Sequence, residues 1–313
     1  MSRSFVLVVF AAVICGCGKP ATEKSDGPSP AEDSPPAGPV SDVSPASAES
    51  QSALAPVSGP ARAGKYVELV VTEAGFDAAG PAAPPGLRNY TVGLRGIGRA
   101  RGNDFALQIE PFVFAQNERG CMSRPEPNAT WLKQPFGSIA VFSRTQPTTG
   151  QLAFLVPEDT KRVRILIAPA AEGGLVVPVG EDFEPSWSAP IRTIEDGSTL
   201  RVLVLPLPAQ VPAPASAAAG KEQVVLDFVI ENLSSDQGIE FTTSQQLRLV
   251  DATGAFVQPS AATKQIGCRL DDGDVIPPGH SRRFQVAYDM LAGAPRRLQY
   301  RGFEVDEVTV DLP

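Results

Sequence analysis

The apolar segments of this 313-residue chain recur at a constant offset of 134 positions. YVELVV (Tyr66 to Val71) lies over LRVLVL (Leu200 to Leu205), and YTVGLRGIG (Tyr90 to Gly98) lies over VVLDFVIEN (Val224 to Asn232). Asn103–Ile109 then falls on Gln237–Thr243, and FVFAQNERG (Phe112 to Gly120) on QLRLVDATG (Gln246 to Gly254). Later segments drift by only a few residues, with Gln151–Pro157 matching Ser281–Tyr288 and Arg162–Ala168 matching Arg296–Gly302. Copies of more than a hundred residues can each hold a core of their own, unlike the short units of a solenoid. The chain is therefore read as two tandem domains, 65–180 and 188–313.

Each copy is read as strands. Segments of five to eight residues rich in Val, Ile, Leu and Phe alternate with period two, as in Leu247-Arg248-Leu249-Val250-Asp251 and Phe284-Gln285-Val286-Ala287-Tyr288. That period suits a strand with one face buried. Turn chemistry separates them: Asn117-Glu118-Arg119-Gly120, Glu195-Asp196-Gly197-Ser198, Asp251-Ala252-Thr253-Gly254 and Pro277-Pro278-Gly279. No long helical stripe with caps interrupts them. The fold class expected is all-β, a sandwich in each copy. The Ala/Pro-rich interruption from Pro206 to Gly220 corresponds by offset to the Gly75–Gly86 loop and is not taken as a boundary.

The amino terminus is different in kind. Arg3 precedes an apolar run, Phe5–Ile14, that is too short for a bilayer span of roughly 20 residues but has the size of a signal-peptide core. The run ends in Ile14-Cys15-Gly16-Cys17, which resembles the lipobox of bacterial lipoproteins. The resemblance implies cleavage after Gly16, so that 1–16 is a signal peptide and Cys17 the acylated first residue. From Lys19 to Gly64, Pro, Ser, Ala and Gly supply 31 of 46 residues, with no aromatic side chain. Such a stretch buries too little apolar area to offset its ordering entropy, so 17–64 reads as a lipidated cysteine followed by a disordered tether.

The second copy resembles a bacterial lipoprotein domain family of unknown function with an immunoglobulin-like sandwich fold. The residues that carry this are Val224–Asn232, a strand ending in Asn, the hairpin Leu249–Gly254, and Ile276-Pro277-Pro278-Gly279-His280-Ser281 leading into Phe284–Tyr288. In the first copy Gly98 replaces that Asn, and Thr148-Thr149-Gly150 stands at the Pro-Pro-Gly turn. The resemblance implies an extracytoplasmic location and protein binding, and implies no chemistry.

Composition narrows the chemistry. The net charge of -8 argues against broad nucleic-acid binding. His280 is the single histidine, so a zinc site built on two histidines within one chain is impossible. Asp271-Asp272-Gly273-Asp274 is the densest acidic cluster, but it lacks EF-hand spacing and reads as a solvated hairpin. His280 and Ser281 are adjacent, and neighbours on a strand face opposite ways, so they form no catalytic pair. Arg282-Arg283 and Arg296-Arg297 with Arg301 read as solvated surface. Gly93, Gly96 and Gly98 lack the helix of a phosphate-binding loop and mark a bulge or close backbone packing. Trp131 and Trp187 are read as core or junction packing. Asn128-Ala129-Thr130 matches a glycosylation sequon that carries no weight in a bacterium.

No catalytic, cofactor-binding or metal residue is assigned, and the chain is expected not to be an enzyme. Cys17 is the one site residue, a lipidation site whose partner is the bilayer, with another envelope protein as a further partner. The function expected is a membrane-tethered binding or scaffold lipoprotein of the bacterial envelope acting through protein contacts. The alternatives are a structural envelope component or an unrecognised hydrolase. Cys121 and Cys268 fall one in each copy at non-equivalent positions. Two free thiols are the first expectation, an interdomain disulfide the second, an intermolecular bond the third.

Overall fold

Alternating segments become strands throughout the computed structural model, which describes residues 54–57, 59–77, 80–101, 104–127, 129–168, 174–206, 220–270, 274–291, 293, 296–305 and 307–312. Residues 1–16, read above as a signal peptide, Cys17, most of the expected tether, Asn128, Asp271–Gly273 and most of the 206–220 interruption lie outside the described residues.

In chain order the first half contributes β1 (Ala55–Pro56), β2 (Arg62–Ala63), β3 (Val67–Phe76), β4 (Leu87–Gly98), β5 (Phe105–Gln108) and a helical turn α1 (Ile109–Phe112). These are followed by β6 (Val113–Asn117), β7 (Met122–Ser123), β8 (Ile139–Phe142), β9 (Thr148–Pro157), β10 (Val163–Ile167) and β11 (Leu175–Pro178). The second half contributes β12 (Arg192–Asp196), β13 (Leu200–Val204), β14 (Lys221–Asn232), β15 (Ile239–Glu240), α2 (Thr243–Gln246) and β16 (Leu247–Val250). After them come β17 (Phe256–Val257), a 3-10 turn at Ala261–Gln265, β18 (Val275–Ile276), β19 (Ser281–Leu291), β20 (Arg296–Tyr300) and β21 (Val308–Leu312).

One sheet of the first half runs β1-β3-β4-β9, with β2 also on β3, and the other runs β11-β10-β6-β7. The second half has β12-β13-β14-β19 and β17-β16-β20-β21, and the short pairs β5-β8 and β15-β18 complete the set. With β3, β4 and β9 as strands A, B and E, and β6, β10 and β11 as C, F and G, this is the immunoglobulin-like strand order. The fold is an all-β sandwich architecture, as expected. β4 and β14, α1 and α2, and β6 and β16 each begin 134 residues apart.

Each half closes its two sheets over its own core. Leu69, Val92, Phe154 and Ile165 meet in the first, and Val202, Phe228, Phe284 and Tyr300 meet in the second. β1 and β2 extend the ordered chain into residues that composition alone places in the tether, because their backbones complete the open edge of β3. The glycines of β4 have both of the roles read for them. The β3–β4 register shifts between Val71 and Glu73, close to Gly93. A side chain at Gly96 would collide with Phe142 and Leu69, and one at Gly98 with the Phe142 carbonyl. Trp187 packs on Leu203, Leu205 and Val229, and Trp131 on Ala129, Leu132 and Ala153.

A buried carboxylate pins the base of the second sandwich. Asp196 accepts hydrogen bonds from Tyr300 Oη at 2.7 Å and from the backbone N–H groups of Phe303, Glu304 and Val305 at 2.7, 2.8 and 3.0 Å. Burial pushes its pKa up, but these donors outweigh burial and hold it below its ordinary value. The whole of Ser50–Pro313 clusters as one compact unit, so the two sandwiches share a seam.

Candidate functional site

The seam exists because two strands of the first sandwich are buried on both faces. Along β6, Val113 and Ala115 enter the core, so period two turns Phe114 and Gln116 outward. On β10, Ile165 and Ile167 point in, while Arg164 and Leu166 point out opposite Gln116 and Phe114. None of these four outward residues reaches solvent beyond 2%. Phe114, Leu166, Met122 and Ala168 form a cluster separate from the core, and the Arg282 guanidinium of the second sandwich lies 5.6 Å from the Phe114 ring centroid.

Strand β19 supplies the other wall. One edge pairs with β14 along its full length. The opposite edge meets the first sandwich, where the Arg283 N–H donates to the Gly120 carbonyl at 2.9 Å and Cys121 bridges Arg283 in parallel. Farther along, the same edge accepts its own chain, with Gln285 N–H donating to the Cys268 carbonyl. The Asn117–Gly120 turn can present that carbonyl because Gly120 has φ +85°, a conformation that a side chain disfavours.

Cys121 and Cys268 are thereby brought to a Cα separation of 4.9 Å and joined as a disulfide. Two free thiols, the first expectation, are overturned. Both cysteines are buried, although each is flanked by turn formers or a charge, because the covering surface belongs to the other sandwich.

Polar groups of both sandwiches meet in the seam, some bonded within their own half and some across it. Asp274, fully buried, accepts from Arg282 Nη2 at 2.5 Å and from Arg124 of the first sandwich. Arg282 also donates to the Arg269 carbonyl at 3.0 Å. Gln116 Nε2 donates to the Ser281 carbonyl at 2.7 Å and its Oε1 accepts from Arg164 Nε at 2.9 Å. Asp227 is held by Arg283 through both Nε and Nη2, at 2.9 and 2.5 Å, and by Gln285 at 3.1 Å. His280 Nε2 sits 2.9 Å from the Gly174 carbonyl. Burial lowers the His280 pKa below its ordinary value; the Gly174 contact and Glu184 oppose the shift, and Arg164 adds to it.

These contacts correct two sequence readings. Asp274 is no part of a solvated hairpin; it is the centre of a buried charge cluster. Arg282 and Arg283 are not solvated surface, since they carry the seam. Of the second basic group, Arg296 pairs with Glu222 at 3.0 Å and Arg297 with Asp311 at 3.2 Å. The part of the seam that the sequence carries is Phe114 and Leu166, one apolar residue on the outer face of each strand.

At one margin the seam opens into a cleft of about 300 Å³. Leu87, Met122 and Ile266 give it an apolar wall, and Arg124, Glu126 and Arg269 a charged one. Burial pushes the Glu126 carboxyl up, against the lowering charge of Arg269. The arrangement can recognise a polar group by charge and hydrogen bonding. Among the described residues no group of three or more His, Cys, Asp or Glu side chains is placed to hold a metal ion. Among them, too, no helix is long and apolar enough to cross a membrane.

No family model and no curated protein matches the chain. Two solved structures are similar in part. The yjhA protein from Bacillus subtilis is 17% identical, covering 40% of this chain and 98% of its own length with a TM-score of 0.30. An uncharacterized beta-sandwich protein from Clostridium difficile 630 is 14% identical, covering 42% of this chain and 100% of its own length with a TM-score of 0.28.

Proposed function

We propose that the chain is a membrane-tethered extracytoplasmic lipoprotein, anchored through Cys17, whose two copies of one sandwich domain act as a rigid binding or scaffold unit through protein contacts. The observation that carries this reading is the Cys121–Cys268 bridge across the seam. Structural disulfides persist in oxidising compartments outside the cytoplasm, which agrees with the lipobox-like Ile14–Cys17. The bridge also favours recognition over hinge motion, because it joins sandwiches that a buried charge cluster already holds. The coincident strand orders support two copies of one domain, 65–180 and 188–313.

Mass spectrometry and fractionation of the native chain test the reading together. The mature chain should begin at an acylated Cys17 and partition with membranes, while Cys17→Ala should lose acylation. An unmodified amino terminus elsewhere overturns the anchor.

A further inference from the structure

Three loops of the first sandwich converge at one end. The Arg99 N–H donates to the Tyr66 carbonyl at 2.7 Å, and the Gly98 N–H to the Ser143 carbonyl at 2.9 Å. This brings the segment before β3, the segment after β4 and the turn after β8 side by side. Each brings basic side chains: Lys65, Arg99 with Arg101, and Arg144, all exposed. The carboxylates nearest to them in sequence are Glu68, on β3, and Asp104, just before β5. The concentration runs against the rest of the chain. Residues 65–180 carry 12 Lys and Arg against 10 Asp and Glu, whereas 188–313 carry 11 against 16.

A second observation separates the kinds of anionic partner. Strand β8 runs directly into the Arg144 turn, and its outward residues are Ile139 and Val141, exposed by 53% and 49%. Val141 stays tied to the start of β9, because Thr148 Oγ1 donates to its carbonyl at 2.7 Å. Beside Arg99, the Tyr66 ring stacks on Phe105 at 5.8 Å with the Lys65 ammonium over its face at 4.9 Å. Basic side chains next to exposed aliphatic and half-buried aromatic ones match a lipid headgroup region, where charge meets phosphate and apolar groups reach the acyl boundary. A soluble polyanion would use the charge and leave Ile139 and Val141 in water.

We propose that this end of the first sandwich, Lys65, Arg99, Arg101 and Arg144 with Ile139 and Val141, is a docking surface for anionic phospholipid. The contact deepens the proposed function and rests on it for the chain being held beside a bilayer. Docked in this way, the first sandwich meets the membrane with its basic loops, and the more acidic second sandwich is the part left to meet partners.

The test is amide hydrogen exchange on the full processed chain, mixed with phosphatidylcholine vesicles with or without phosphatidylglycerol. Exchange at 64–66, 98–101 and 139–145 should slow by roughly threefold or more with the anionic vesicles alone, and high salt should abolish the slowing. The combined Arg99→Glu, Arg101→Glu and Arg144→Glu variant should lose it while keeping the wild-type unfolding midpoint. Should that variant fail to fold, the salt dependence of the wild type carries the decision. Equal exchange on both vesicle types, or slowing that persists in high salt, overturns the proposal. Slowing by a soluble polyanion but not by vesicles also overturns it. Acylation, read by mass on the same preparation, reports on the anchor separately, so that the two readings fail independently.

Discussion

Arg282 and Asp274 form an ion pair of 2.5 Å in which neither side chain reaches solvent beyond 1%. Asp274 holds Arg124 as well, so a single carboxylate on the second sandwich compensates two guanidiniums, one from each side. Its value lies in the cost of breaking it, since a buried charge left without its partner is far more expensive than the intact pair is favourable. Asp274→Asn should lower unfolding free energy by about 3–5 kcal/mol in urea titrations. Replacing both partners, Asp274→Leu with Arg282→Met, should recover part of that loss. A double variant as unstable as the sum of the single ones would show that the pair acts through something other than compensation.

The disulfide closes a loop across 147 positions. In the chain-entropy account, opening a loop of that length costs about 4–5 kcal/mol. Reduction, or Cys121→Ser with Cys268→Ser, should lower the urea midpoint accordingly. Proteolytic mapping of the unreduced protein should find the two cysteine peptides linked to each other.

His280 makes the seam sensitive to acid. Its folded pKa is lowered, so between that value and the unfolded value near 6.5 the unfolded chain binds more protons. The contribution is complete above about pH 6.5, declines as pH falls, and levels off below the folded value. Melting temperatures measured from pH 7.5 to 5 should fall more steeply for the wild type than for His280→Gln. Parallel curves would remove His280 as the cause.

Asp196 acts in a lower window. Its folded pKa is also depressed, so its stabilisation is present above the unfolded carboxylate value near 3.9 and is lost as pH falls through the folded one. Asp196→Asn keeps the shape but offers one acceptor oxygen to four donors, at a cost of about 2–3 kcal/mol. Urea unfolding at neutral pH should show this deficit, and the deficit should shrink in acid as the wild type loses its own carboxylate.

The strands were legible because turn chemistry and alternation agreed, as at Asp251–Gly254, where Gly254 takes φ +85° just as Gly120 does. The seam was less so. Alternation identifies which residues share a face, but not which faces are covered, and Gln116 and Arg164 look like ordinary solvated residues until another body closes over them. Asp274 and Arg282 are likewise polar residues eight positions apart, with nothing local to say that they meet in the interior. The disulfide was hidden for a related reason. Its partners occupy non-equivalent places in the two halves, so no feature of either half alone predicts it.

The outer face that receives β19 has a counterpart in the second sandwich with a different character. Where Phe114 and Leu166 stand opposite each other on β6 and β10, the cross-strand pair on β16 and β20 is Arg248 and Gln299. Where Gln116 faces Arg164, Val250 faces Arg297. The first sandwich thus offers a sticky face and the second a polar one. A head-to-tail contact of this kind would otherwise propagate from molecule to molecule into an open filament. With Arg248 and Gln299 in place of Phe114 and Leu166, this face of the second sandwich lacks the apolar pair on which such a contact is built.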